Sequence, residues 1–253
     1  MLDNHAKKTR KMKNVKNVSV SFMLMGILFC VCLIASNLFE TKLFRVYGPI
    51  CLTCGFLVFP ISYILNDCIA EVWGYRKSRL IIWAGFLMNF FLVAIGTIAS
   101  YLPPVNPGED ESFRHIFLFA PQITIASFIA FVVGSFLNAI VMSKMKMADR
   151  NKGHFNYYFS LRAILSTIVG ESADSIIFFP LAFYIFPWIF DGKPSVTVEV
   201  LISLMLTQVV AKTLYEIIAL PITIRVVRFV KKFEGIDVYD ENISYNAFKV
   251  KDI

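Results

Sequence analysis

Two carboxylates, Glu171 and Asp174, stand one helical turn apart in the stretch GESADS, preceded by LSTIVG and followed by IIFFPLAFYIF. Acids at this spacing share one face of a helix. In hydrocarbon surroundings a charged side chain costs roughly 2.5 to 3.5 kcal/mol to insert at mid-bilayer, so a pair of them needs a reason. Further along, Gln208, Lys212 and Glu216 repeat every four residues and form a polar stripe with Tyr215 beside it. A third group, Asn66, Asp67 and Glu71, precedes an aromatic and basic turn that contains Trp73. Asp67 and Glu71 are i, i+4 neighbours, close enough for proton coupling to be chemically feasible. Asn89, Gln122 and Asn138 add neutral hydrogen-bonding groups. Glu171, Asp174 and Glu216 outnumber the single ammonium of Lys212, a surplus that suits a cationic or donor-rich ligand, or protons. Plainer roles stay open: Lys212 paired with Glu216 or Asp174 holds helices together, and Asp67 and Glu71 cap a solvated helix end.

The elements that must position these groups follow from composition. The chain is 57% hydrophobic and 15% aromatic over 253 residues, with a positive mean hydropathy, which is the profile of an integral membrane protein. About 20 apolar residues cross a bilayer as a helix. Six such runs are present, near 18–37, 49–66, 80–102, 116–142, 161–190 and 200–227. The expected fold is therefore all-α and polytopic, with six transmembrane helices over 18–228. Basic residues collect within 7–16, 76–79, 144–162 and 225–251, whereas the alternate loops hold only Lys42, Arg45, Arg114 and Lys193. By the positive-inside tendency both termini are cytoplasmic. Residues 1–17 then form a basic cytoplasmic N-terminus and 229–253 a charged cytoplasmic tail, in a protein of the cell (inner) membrane. The net charge of +7 tracks loop polarity, so no nucleic-acid partner is expected. The first run is too long for a signal peptide and lacks a small-x-small cleavage site.

Cys51 and Cys54 have the spacing of half a zinc site, but no second pair or histidine accompanies them, so Cys30, Cys32, Cys51, Cys54 and Cys68 read as packing residues. His5, His115 and His154 fall in predicted loops or tails, and Ser175 beside Asp174 lacks a histidine base, which argues against an intramembrane hydrolase. No Walker loop and no cofactor motif is present. A scaffold would minimise buried charge, so the three clusters favour a small-molecule carrier in the lipid bilayer.

Four stretches carry a resemblance. NDCIAEVWGYRKSR is similar to the D-x-x-x-E-v-y/w-G-y-r-x-a-R segment of the bacterial queuosine precursor transporters, a vitamin-uptake-like family with six predicted spans. GSFLNAIVMSKMK resembles its G-q-x-l-N-s-y-x-f-a-k-l-K, and LRAILSTIVGESADSIIFFPLAF its l-R-t-i-x-S-T-x-v-G-q-x-x-D-t-x-x-F. VAKTLYEIIALPIT, followed by VKKFEGIDVYD, resembles the family's K-v-x-y-E-x-x-x-t-P and l-K-x-x-E-x-x-D-x-y-D ending. The resemblance implies uptake of 7-deazaguanine bases: cyano or aminomethyl deazaguanine, or queuine. A deazaguanine offers ring and exocyclic N–H donors that a carboxylate accepts in bidentate fashion, and a carbonyl that Lys212, Gln208 or an Asn would serve. Phe178, Tyr215 and Trp73 stand near the polar groups as stacking faces. Where the family has Gln after the Gly, this chain has Glu171, and the added charge favours ligands bearing an ammonium. Transport driven by titrating carboxylates, a homo-oligomer, an energy-coupling partner, and uptake of another small solute such as a vitamin all remain open.

Overall fold

The computed structural model describes residues 18–47, 50–149, 155–241 and 243–248. The basic segment 1–17 and the cations Arg150, Lys152, Lys249 and Lys251 lie outside them, as do His5 and His154 and the side chains of Cys51 and His115. Helix α1 (Val20–Phe39) begins at Ser19, whose side chain accepts a hydrogen bond from the Phe22 amide at 3.2 Å and so satisfies one orphan donor of the first turn. After a two-stranded hairpin come α2 (Phe59–Trp73), α3 (Tyr75–Ala99), α4 (Pro107–Ala148) and α5 (Phe155–Pro180). A π-turn at Leu181–Ile185 leads into α6 (Phe186–Asp191), and α7 (Val198–Glu234) closes the bundle. The protein is all-α and polytopic, with five helices among the described residues long and apolar enough to cross a membrane.

The run expected to span the membrane over 49–66 is not one helix. Its first part, β2 (Ile50–Thr53), pairs antiparallel with β1 (Leu43–Tyr47), with Leu43 opposite Thr53 and Phe44 opposite Leu52. A single 3-10 turn at Cys54–Leu57 follows. Two local causes account for this. A short apolar run rich in β-branched residues has no periodicity that decides between strand and helix. Pro60 belongs in a first helical turn, because deeper in a helix it would remove a hydrogen bond and clash with the preceding carbonyl; it lies in the first turn of α2. The 15 residues of α2 reach only about 22 Å at 1.5 Å per residue. Gly74, with φ of 81°, then reverses the chain directly into α3.

Along α7 burial is arranged inside out relative to a water-soluble helix. On α7 the buried positions Leu204, Gln208, Lys212, Glu216 and Leu220 recur every four residues. Leu206, Val210 and Ile218 face outward and are more than half exposed. Polar groups inward and apolar groups outward is what a lipid solvent selects. The lock between α4 and α5 is backbone to backbone. A Cβ on Gly134 would stand 2.8 Å from the Gly170 carbonyl, and one on Gly170 would stand 2.9 Å from the Gly134 carbonyl. Small residues at such a crossing allow close helix approach, and Gly170 thereby fixes the depth at which the next residue, Glu171, enters the interior.

Candidate functional site

Between the C-terminal end of α1 and helices α2, α4, α5 and α7 lies a narrow hollow lined by Asn37, Glu40, Ser127, Asp174, Lys212 and the rings of Phe59, Phe178 and Phe179. Its free volume is about 10 Å³, space for about one water. Lys212 projects into it from α7, with Nζ 3.0 Å from Glu171 Oε2 and 3.6 Å from Asp174 Oδ2. The ammonium also stands over the Phe59 ring, 3.8 Å from its centroid, a cation–π contact that strengthens when desolvated. Glu171 is fully buried and Asp174 nearly so. Two acids on one face of α5 thus clamp one cation on α7, as their spacing requires.

The hairpin supplies the remaining wall. Gln208 Nε2 donates to Thr53 Oγ1 at 2.9 Å, and Glu40 packs against Gly55 just beyond it. Ser127 Oγ donates to Asn37 Oδ1 at 2.6 Å. Several polar atoms here are buried without a hydrogen-bond partner: Asn37 Nδ2, Glu40 Oε2, Glu171 Oε1 and Gln208 Oε1. Buried polar atoms are nearly always satisfied, so this one donor and these three acceptors are open to partners of the opposite kind.

One turn further along α7, Glu216 lies against Asp67 of α2. Asn138 Nδ2 donates to Asp67 Oδ1 at 2.7 Å, while Asp67 Oδ2 and Glu216 Oε2 are left without partners. Glu71 belongs to a separate group at the basic end of the bundle. Its Oε2 accepts from Arg162 at 3.0 Å and its Oε1 from Lys231 at 2.7 Å, and its backbone carbonyl accepts from Lys146. Lys146 and Lys231 also hold Asp237, at 2.6 and 2.9 Å. The residues after α7 are strapped across this end: the Val238 amide donates to the Val72 carbonyl at 3.1 Å, and Asp240 accepts from the Tyr75 amide at 2.9 Å and Ser143 Oγ at 2.5 Å.

Of the residues singled out in the sequence, Asp174, Lys212 and Phe178 line the hollow, with Glu171 and Gln208 adjoining it. Asp67, Asn138 and Glu216 form the next layer. Trp73 packs edge-on against Phe22 at the basic end, with ring centroids 5.3 Å apart, and Asn89 is buried on α3 away from the hollow. Tyr215 turns toward Phe56 and an apolar groove shared with Leu24 and Leu28. Glu40, Asn37 and Ser127 were not anticipated. Asn37 and Glu40, one turn apart at the end of an apolar run, carry the only sequence signal for them.

A bundle of long apolar helices around a buried, charged hollow defines a multi-pass membrane protein, seated in the inner membrane in bacteria. The chain belongs to the family described as "Putative vitamin uptake transporter", whose profile matches residues 53–226. It is 30% identical over 133 residues to the "Probable queuosine precursor transporter" of Haemophilus influenzae, covering 52% of each chain. It is 26% identical over 135 residues to the "Queuosine precursor transporter" of Escherichia coli, covering 52% of this chain and 55% of that one. A further relative, the "Probable queuosine precursor transporter" of Bacillus subtilis, is 25% identical over 155 residues, 59% of this chain and 64% of its own. The chain thus aligns with a little over half the length of these relatives. No solved structure matches it significantly.

Proposed function

We propose that this protein carries queuosine precursors, 7-deazaguanine bases, across the membrane, with its basic end and both termini in the cytoplasm. The observation that carries this reading is the hollow itself: a lysine clamped by two acids, flanked by three phenyl rings and by polar atoms that lack partners. A flat bicyclic base with an N–H edge and a carbonyl satisfies those atoms while its faces stack on the rings. The matching names of three relatives support the same substrate class. A hollow with room for about one water must open to take such a base, so the walls contributed by α1 and the hairpin have to part from α5 and α7 during the cycle. The reading is carriage, which the family's description as a transporter supports. The surplus of carboxylates over Lys212 provides proton sites for coupling. Uptake into vesicles that contain only this protein, measured against an imposed pH gradient, separates proton coupling from dependence on an energising partner.

The family's description favours a second reading, uptake of a vitamin. Binding of the purified protein to a panel of bases and vitamins decides between them. The deazaguanines should bind and be displaced only by one another; a vitamin that binds where they do not overturns the proposal.

Glu171 also bears on which precursor is preferred. Its free Oε1 adds negative charge where Gln would be neutral, so aminomethyl deazaguanine and queuine should compete better than the cyano base. Glu171→Gln should narrow that preference by about tenfold, the equivalent of one charge-assisted hydrogen bond of roughly 1.5 kcal/mol. Competition assays with both precursor types check this, and an unchanged ratio removes Glu171 from the discrimination.

A further inference from the structure

The two acids of α5 are occupied with Lys212, and Glu216 lies against Asp67. Glu40 is the remaining carboxylate at the hollow. It caps α1, is only 6% exposed, and lies beyond ion-pair distance of any cation among the described residues. Its Oε2 has no hydrogen-bond partner. Asn37, one turn earlier on the same helix face, is equally buried; its Oδ1 is taken by Ser127 and its Nδ2 is unpartnered. The end of α1 therefore presents to the hollow one free acceptor and one free donor side by side.

We propose that Glu40 and Asn37 form the subsite that reads the amide edge of a 2-aminopyrimidin-4-one ring, the half of a deazaguanine common to all the precursors. The inference rests on the reading of the hollow as the ligand site and assigns the recognition to α1 instead of α5. The edge of such a ring runs carbonyl, ring N–H, exocyclic amino group. The free carboxylate oxygen, with two lone pairs, accepts from the exocyclic amino group and the adjacent ring N–H, and an amide N–H beside it serves the carbonyl. Lys212 is a poorer partner for that carbonyl, since two carboxylates and the Phe59 face already hold its ammonium. The pair is also held in place. Gln208 anchors Thr53 of the hairpin, and Gly55, two residues further on, leaves no room for a side chain where Glu40 packs. Three separate elements, α1, the hairpin and α7, thus orient one carboxylate, and such support preorganises a recognition site.

The test compares, on the purified full chain, aminomethyl deazaguanine with its analogue lacking the 2-amino group. A site built to hydrogen-bond an N–H group rejects ligands without it, so the wild type should bind the parent at least about tenfold more tightly, the cost of one buried unsatisfied acceptor. Glu40→Gln should weaken the parent and bring the two ligands to within about threefold of each other. Equal binding of both by the wild type, or full discrimination retained by Glu40→Gln, overturns the proposal. Should Glu40→Gln not survive purification, Asn37→Asp carries the test. It sets an acceptor against the ring carbonyl and should weaken both ligands about tenfold or more; unchanged binding overturns the assignment. Failure of the wild type to bind any deazaguanine instead sinks the transport reading on which this one stands.

Discussion

Glu71→Ala is expected to destabilise the protein by about 3 to 5 kcal/mol, the usual result of removing one partner from a buried ion-pair group. Glu71 is 1% exposed and is the shared acceptor of Arg162 and Lys231, with Lys146 3.9 Å from its Oε1. Its loss leaves three cations crowded at the junction of α2, α4, α5 and α7. Asp149 and Asp237 are the acids still within reach, the first 3.7 Å from Arg162. Thermal unfolding in detergent should show a large downward shift for Glu71→Ala and a smaller one for Glu71→Gln, which keeps an acceptor. Asp237→Ala should do much less, because that side chain is 42% exposed and its ion pairs are screened by water. An unchanged melting temperature for Glu71→Ala would mean that the cluster is not what binds these helices. The acid side follows from Asp237. Burial pushes its carboxyl up, but hydrogen bonds from Lys146 and Lys231 outweigh that and hold it below the usual carboxylate range. A lowered folded value gives a contribution fully present above the ordinary carboxylate pKa and lost as pH falls through the folded value. Fastening of the strap through Asp237 is therefore intact near neutral pH.

The sequence made the helices and the α5–α7 clamp legible, because both rest on a period that residue types display directly. Gln208, Lys212 and Glu216 fall four apart and share a buried face; Glu171 and Asp174 fall three apart and meet Lys212 as that spacing demands. What stayed hidden depends on tertiary contact. Arg162 and Lys231 read as loop or tail cations because they follow apolar runs, yet each is folded against Glu71. Tyr215 stands beside Lys212 in sequence, but three residues along a helix of 3.6 per turn leaves a rotation of about 60°, enough to carry it to the neighbouring groove. Glu40 is the clearest case. It is separated from Lys212 by most of the chain, and only the hairpin, in a segment whose composition equally suits a helix, folds the end of α1 over the hollow. The same hairpin therefore hides both the place of Glu40 at the hollow and the break in the second apolar run.

Lys212→Met should abolish uptake and also cost several kcal/mol of stability, since Glu171 and Asp174, nearly or wholly inaccessible to water, lose their shared counter-charge. The two effects separate in a double variant. Lys212→Met with Glu171→Gln leaves Asp174 as the one acid of the clamp, so stability should recover by roughly 1 to 3 kcal/mol, the coupling usual for groups in direct contact. Uptake should not recover with it. If the clamp merely joins α5 to α7, repairing the charge balance restores folding and transport together. If instead the ammonium is needed to hold two carboxylates in register beside the hollow while the walls move, a neutral substitute folds but leaves the ligand side of the hollow without its organising charge. Melting temperatures and vesicle uptake, measured on the same two variants, give the answer: stability regained with transport still absent assigns Lys212 to the transport site, and joint recovery assigns it to the scaffold.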